Sequence, residues 1–518
     1  MKLGKLSLVA VMALGTSAFA IENVKVSGDV KIIYQTNDNE AGPRDLSGTS
    51  GVSGATPATG LGTTQPSSSG WFEQGAGNVA EVSPYNNASA GGIAGRIGVT
   101  ADLLKSVSAG AEVQVYSTLG LNNNVFGDSM INAPYGETGF TNGNDVAQRS
   151  TAINGSTHAD RMSDASNISQ LWLATTMGKT TVKAGRMELN TPLIFTEKWN
   201  LAYNTFESIV AVNTDLPDTS IVGAWIGKHN GHGGGDNRQN VGGGVGDVRL
   251  EGGIRLAGSP GRTVNMDSFR TFGFGQEANG AYAVGVTNKS IAATTLQAWY
   301  YNVVSVADAV WLQADTKIAG MVTLGAQYAT MSPSGRMNSS TNTAVDITSS
   351  NLQKSDNDSS IWAVKAAVDV AGVNLYAAYS QADKDGYLGF SNMSTADKTN
   401  IYTGDGSIYF DGVVTAPGVK TYKVGAKGSV AGFDLSAAYV NASKAYWFSH
   451  TTGAHVNSGD GIDGFDLSVG TKIGNLGLTA MYTLVNNNAS DLGFPPNGNP
   501  YYFGRDIETL RLIAQLKF

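Results

Sequence analysis

The chain has 518 residues, no cysteine, 66 glycines, 13 prolines and a formal net charge of −8. Without thiols it has no disulfide framework, and 34 basic against 42 acidic residues argue against nucleic acid as a partner. Beyond the first 20 residues there is no run of about 18 apolar residues, so no transmembrane helix is expected. In lipid the chain would have to be a closed sheet, because only helices and closed barrels satisfy every backbone polar group there.

Met1 to Ala20 has the grammar of a secretory signal: Lys2 and Lys5, an apolar stretch from Leu6 to Leu14 too short to span a bilayer, then the small-x-small site Ala18-Phe19-Ala20. Cleavage after Ala20 leaves a single domain, 21–518, with a charge near −10. That balance is compatible with a cation-preferring pore, although acidic loops alone would produce it. A first strand is predicted over Asn23 to Tyr34, where Val24, Val26, Gly28, Val30 and Ile32 alternate with Lys25, Ser27, Asp29 and Lys31. Both lysines and the aspartate then share one face, which a barrel turns into its lumen.

Two stretches, Asn37 to Ser89 and Asn230 to Gly253, are close to low complexity and read as outer loops or loops folded into a barrel. Further along comes a repeated hairpin. Trp362, Val364, Ala366, Val368 and Val370 lead into Ala371-Gly372, and Val373, Leu375, Ala377 and Tyr379 lead out. The design returns around Ala431-Gly432 with Tyr439 and around Gly474-Asn475 with Tyr482. A related unit around Ala319-Gly320 ends in Tyr328, its outgoing phase shifted by one residue. Each unit is two alternating strands on a tight turn. Each outgoing strand carries its Tyr about seven residues on, which sets the rings at similar height and suits an aromatic girdle. Long polar stretches, Asp383 to Val419, Ala445 to Gly464 and Asn486 to Arg505, separate the hairpins. Short turns at one end and long loops at the other are the asymmetry of outer-membrane barrels.

The last strand alternates Leu510, Leu512, Ala514, Leu516 and Phe518 with Thr509, Arg511, Ile513, Gln515 and Lys517. Arg511 and Lys517 join Lys25, Asp29 and Lys31 as lumen-wall candidates. The fold class expected is therefore all-β: a transmembrane antiparallel β-barrel, and the chain is long enough for 16 to 18 strands with about ten residues of each in the membrane band.

Reactive chemistry is weakly represented. There is no Gly-x-Ser-x-Gly elbow and no His-Glu-x-x-His, so no enzyme is expected. Of the histidines His158, His229, His232, His450 and His455, the pair His229 and His232 with Asp236 is a weak candidate for Zn²⁺ or Ni²⁺. Asp460, Asp463 and Asp466, or Asp356 and Asp358, offer oxygens to loop Ca²⁺ without EF-hand spacing. No cofactor is otherwise expected.

Residues Asn167 to His232 carry Gly185-Arg186, Thr191-Pro192-Leu193, Asn204-Thr205-Phe206-Glu207 and Lys228-His229-Asn230-Gly231-His232. This segment resembles the porins of Campylobacter-like (epsilonproteobacterial) bacteria and, more distantly, the OprD-type channels of pseudomonads. The terminal Phe518 resembles the signal read by outer-membrane assembly machinery, although a glycine commonly stands where Ile513 stands here. The resemblance implies a homotrimeric channel of 16 or 18 strands, 18 favoured, in the bacterial outer membrane, among lipid and lipopolysaccharide, with an inward-folded loop narrowing the lumen. In such a pore, opposed fixed charges orient solutes and sort ions, and Arg186, Glu188, Glu197 and Lys198 are the candidates for that zone. Arg186 and Glu188 share alternation parity with Val182 and Ala184. Either that apolar pair faces inward, or a bulge near Gly185 changes phase, or Arg186 lies beyond the lipid band. The function expected is passive diffusion of ions and small hydrophilic solutes. A substrate-selective OprD-like channel and a surface adhesin on a barrel scaffold are the alternatives.

Overall fold

The computed structural model describes residues 21–39, 89–117, 166–201, 203–230, 270–271, 280–304, 307–333, 358–386, 389–394, 398–404, 414–415, 418–443, 446–449, 454–457, 461–487 and 507–518. The expected signal segment and the low-complexity stretch Asn37 to Ser89, apart from its ends, lie outside them, as does nearly all of Asn230 to Gly253.

In chain order the strands are β1 (Glu22–Asn39), β2 (Ser89–Leu104), β3 (Val107–Ser117), β4 (Ser166–Met177), β5 (Thr180–Met187), β6 (Phe206–Asn213) and β7 (Thr219–His229). Then follow β8 (Arg270–Thr271), β9 (Ala281–Asn288), β10 (Thr294–Val303), β11 (Ala307–Ile318), β12 (Val322–Pro333), β13 (Ser359–Val370) and β14 (Val373–Ala382). The chain continues through β15 (Lys420–Val430), β16 (Phe433–Ala442), β17 (Tyr446–Ser449), β18 (Ala454–Asn457), β19 (Ile462–Ile473), β20 (Leu476–Asn487) and β21 (Ile507–Lys517). Omitting the two-residue β8 and the separate β17–β18 hairpin, each strand pairs antiparallel with the next, and β21 pairs with β1. The result is a closed antiparallel barrel of 18 strands.

Alternation is the reason this cylinder forms. Val24, Val26, Val113, Leu171, Leu173, Val364, Leu467 and Leu512 are exposed large apolar residues on the outside, while Lys31, Arg96, Gln114, Ser169 and Arg511 are buried inside. The turns at one end are short. Ala371-Gly372 and Ala431-Gly432 have positive φ at both residues (51° and 83°, 52° and 83°), the pattern of type I′ hairpins. The Ala319-Gly320 turn contains a third residue, Met321, before β12 begins, which accounts for the phase shift seen in the sequence.

The girdle expected from the hairpin tyrosines forms at the opposite end. Tyr328 pairs across the ladder with Trp362, Tyr379 with Tyr422, and Tyr439 with Phe465. The Trp362 and Tyr379 rings lie 5.3 Å apart, and those of Tyr422 and Tyr439 lie 6.2 Å apart. Trp225, Tyr282 and Tyr300 continue the belt along β7, β9 and β10. Several phenols donate to an acid nearer the long connections: Tyr300 to Asp308 (2.6 Å), Tyr439 to Asp463 (2.6 Å) and Tyr482 to Glu508 (2.8 Å). An aromatic body in grease with a wet polar tip suits a membrane–water boundary.

The seam closes tightly. Gly28 and Phe518 exchange backbone hydrogen bonds of 3.0 Å in both directions. A Cβ on Gly28 would stand 2.2 Å from the Arg96 carbonyl oxygen and 2.8 Å from the Phe518 ring. Gly28→Val is therefore expected to cost about 1–3 kcal/mol by overpacking. It should lower the temperature at which the folded, fast-migrating band is lost on a detergent gel.

Candidate functional site

Between β5 and β6, residues 188–201 and 203–205 cross the interior of the barrel. On one side Lys31 in β1 donates its ammonium to the carbonyl oxygens of Lys198 and Asn200, both at 2.9 Å. Arg511 Nη1 donates to the Trp199 carbonyl at 3.4 Å. Arg96 Nη2 donates to the Tyr203 hydroxyl at 2.7 Å, and the guanidinium carbon sits 3.4 Å from the centre of that ring. On the far side, the Leu193 N–H donates to the hydroxyl of Tyr301 in β10 at 3.4 Å. Leu189, Leu193 and Ile194 are packed there with Trp299, Trp311 and Met331, so one wall of the lumen is filled with an apolar core.

A second segment, described over 389–394 and 398–404, folds in between β14 and β15 and locks to the first. The Met393 N–H donates to Leu193 O (2.8 Å), and Asn400 Nδ2 donates to Pro192 O (2.8 Å). Asn392 Nδ2 reaches both Phe195 O (2.8 Å) and Glu197 Oε1 (2.9 Å), and Asn204 Nδ2 reaches Ser394 Oγ (2.9 Å). The wall holds this segment too, through Lys423 to the Gly404 carbonyl (2.7 Å) and Tyr402 to Asp315 (2.8 Å). Lys365 pairs with the same aspartate at 2.6 Å, and its ammonium stands 4.0 Å from the centre of the Tyr402 ring. Irregular backbone inside a barrel needs such donors, because its carbonyls have no ladder partner. Burial raises the Tyr203 phenol above its usual range against the pull of Arg96. Tyr402 is raised as well, by burial and by its hydrogen bond to the Asp315 carboxylate.

The charged residues singled out in the sequence take different positions. Glu188 and Lys198 form an ion pair, with the Lys198 side chain more than half exposed toward the remaining space. Glu197 is buried between the two segments and also accepts the Trp199 indole N–H at 2.7 Å, so it clasps the loops. Arg186 is not brought to them. Pairing runs unbroken through Gly185, which has φ 127°, and sets Arg186 opposite Leu171 and Glu207. That is the outward face, near the long-connection end, while the neighbouring Met187 and Phe206 are buried inside. There Arg186 donates to Ile168 O (2.6 Å) and Glu207 (3.0 Å), and Lys228 stands 3.8 Å from the same carboxylate. Of the arrangements that parity left open, the structure has the one with Arg186 at the end of its strand and no change of phase.

Asp29, Lys31 and Arg511 face inward, at 9%, 4% and 6% exposure beneath the crossing segment, while Lys25 and Lys517 are exposed near the short-turn end. Asp29 accepts Arg96 Nε (2.7 Å) and Gln515 Nε2 (2.6 Å). Sequence reasoning missed Arg96, Trp199, Tyr203 and Lys398. Alternation of Ala94, Arg96 and Gly98 with Ile97 and Val99 marks Arg96 as inward. No local pattern marks Trp199, whose ring has Arg511 at 5.1 Å and Lys398 at 5.4 Å.

Of the weak metal candidates, His229 is buried and Asp463 accepts Tyr439 and Asn441 on the outer face. Asp466, of the calcium candidates, accepts Thr483 Oγ1 at 2.6 Å. His232, Asp236, Asp356 and Asp460 lie outside the described residues. Among the described residues no three metal-ligating groups are brought together.

The anchors yield a direct expectation. Lys31→Met strips two carbonyls of a shared donor, each worth about 1–3 kcal/mol when left unsatisfied in a buried site. Protease cleavage of the crossing segment in the folded, detergent-solubilised protein should then speed up, whereas Lys25→Met should leave the rate unchanged.

No family model matches the chain, and no curated protein matches it by sequence. Solved structures do. OccK8 (OprE) of Pseudomonas aeruginosa aligns over 97% of this chain and 99% of its own, with TM-score 0.60 and 14% identity. OccK1 (OpdK) of the same organism aligns over 97% and 100%, with TM-score 0.57 and 12% identity. OccK3 (OpdO) aligns over 96% of each chain, with TM-score 0.55 and 10% identity. The likeness to Campylobacter-like porins stays a resemblance of sequence. The structure has the 18-stranded barrel fold of the OprD-type channels of Pseudomonas.

Proposed function

We propose that the chain is a passive, substrate-selective channel of the bacterial outer membrane that favours small hydrophilic solutes carrying a carboxylate. In this reading it is exported by a cleaved signal peptide, set in place by the outer-membrane assembly machinery, and surrounded by lipid and lipopolysaccharide. It performs no reaction. The observation that carries the reading is the sign of the charge where the interior is narrowed. Lys31, Arg96, Arg511, Lys198 and Lys398 surround Trp199 and Tyr203. The acids of that zone are engaged: Asp29 by Arg96 and Gln515, Glu188 by Lys198, and Glu197 by Trp199 and Asn392.

A fixed positive field beside an aromatic surface lowers the cost of shedding water from a carboxylate on an apolar body. Permeation then follows this local field and not the net charge of the whole chain, which is dominated by residues elsewhere. Cation preference, the expectation from composition alone, is the competing reading. The neighbour OpdK has also been solved with vanillate, which agrees with the carboxylate reading.

Bilayer recordings under a salt gradient test it. Reversal potentials should favour the anion, and benzoate should reduce the ionic current. The double variant Lys198→Glu, Lys398→Glu should lower the anion-to-cation permeability ratio several-fold, on the scale of about 1 kcal/mol per charge at close range in water. Arg186→Gln, on the outer face, should leave the reversal potential unchanged. Cation preference in the unaltered protein would return the general diffusion porin. Absence of conductance would leave the adhesin.

A further inference from the structure

Beneath the crossing segment lies a group of charges that do not balance. Arg96, Lys31, Arg511 and Asp29 are 3%, 4%, 6% and 9% exposed, so three cations and one carboxylate share a wall that the segment covers. They are held close together. The centre of the Tyr203 ring has the Arg96 guanidinium carbon at 3.4 Å and Lys31 Nζ at 5.5 Å. Lys31 takes the carbonyls of Lys198 and Asn200, and Arg511 takes that of Trp199 between them. Asp29 is committed to Arg96 and Gln515. Glu112, one inward position along β3 from Gln114, is turned to Ser169 Oγ at 2.6 Å. The Lys198 ammonium, 5.6 Å from the Tyr203 ring centre, is matched by Glu188.

Two buried donors at this spot have nothing to donate to among the described residues. Arg96 uses its Nε–H on Asp29 and its two Nη2–H on Asp29 and the Tyr203 oxygen, while Nη1 is buried without a partner. The Tyr203 hydroxyl, in a side chain only 6% exposed, accepts from Arg96 and finds no acceptor for its own proton.

We infer that a small monovalent inorganic anion, of the size of chloride, is bound on Arg96 Nη1 and the Tyr203 O–H, between the wall and the crossing segment. Buried donors are satisfied in folded proteins, by an ion or water where no protein group serves. Here charge decides between the two. Like charges taken out of water are costly unless paired, and a water molecule would fill the donors yet leave the surplus of positive charge untouched. A halide answers both needs, being an acceptor only and carrying the missing sign. It links Arg96 of β2 to Tyr203, and so fastens the end of the segment nearest β6 as Lys31 and Arg511 fasten its middle. The site is on the covered side of the segment and stands apart from solute preference, whose test rests on Lys198 and Lys398.

The folded protein in detergent is crystallised from sodium bromide, and data are collected at the bromine absorption edge. An anomalous peak within hydrogen-bond reach of Arg96 Nη1 and the Tyr203 hydroxyl is expected. Density there without bromine signal is a water and overturns the inference, as do peaks at exposed lysines alone. Hydrogen exchange of the crossing segment's amides gives a reading in solution. At constant ionic strength, bromide replacing methanesulfonate should slow exchange hyperbolically, about tenfold at nine times its dissociation constant. Arg96→Gln should abolish that dependence. Asp29→Asn, which removes the competing carboxylate, should lower the half-saturating bromide concentration several-fold. Heat-modifiable migration first establishes that each variant is folded, and the unaltered protein carries the test if one is not. Equal exchange in bromide and methanesulfonate would reduce the effect to ionic screening and sink the site.

Discussion

Closure of the hydrogen-bond ladder between β1 and β21 is the constraint that organises everything else. In hydrocarbon an unpaired N–H or C=O costs several kcal/mol, so an open edge along either strand would be prohibitive. The pairing from Asp29 with Lys517 to Asn39 with Ile507 removes both edges together. Once the sheet is a cylinder, each strand has one face toward lipid and one toward an enclosed space. The two-residue alternation then has a definite meaning at every position.

The enclosed space is partly filled by the chain's own connections. Two irregular segments would carry unsatisfied backbone carbonyls into the interior, and wall cations supply the missing donors. Lys31 serves two carbonyls and Lys423 another. An ammonium group suits this work because it offers three donors on a flexible stem. Lys31 and Arg511, which donate to loop carbonyls, also belong to the cationic set behind the proposed solute preference, so that proposal and a structural need of the folded-in loops share these two side chains. The apolar half of each segment packs against Trp299, Trp311 and Met331.

Outside, the wall divides into an aromatic sector and an aliphatic sector. Tyr300, Tyr439 and Tyr482 of the first sector are tied to acids one step nearer the water, which sets their height. The second sector ends in an ion-paired cluster.

Much of this was legible in the residues. Alternation located the opening strand, the repeated hairpins and the closing strand, and it assigned Asp29, Lys31 and Arg511 to the interior. Positive-φ turns at Ala371-Gly372 and Ala431-Gly432 followed from tight loops between alternating runs. These features were readable because side-chain direction along a strand is a local property, repeating every second residue. The candidates within 186–198 fared differently. Arg186 lies on the outside, Glu197 is enclosed between loops, and Lys198 borders the open space, although they are close neighbours in sequence. Their fates depend on which wall receives the crossing segment. That follows from contacts between residues far apart in the chain, such as Lys31 with Lys198 and Asn392 with Glu197. By itself the sequence determined the rhythm and hence the cylinder. The path of the loops through it, and with it the site, arose from long-range packing that no local period encodes.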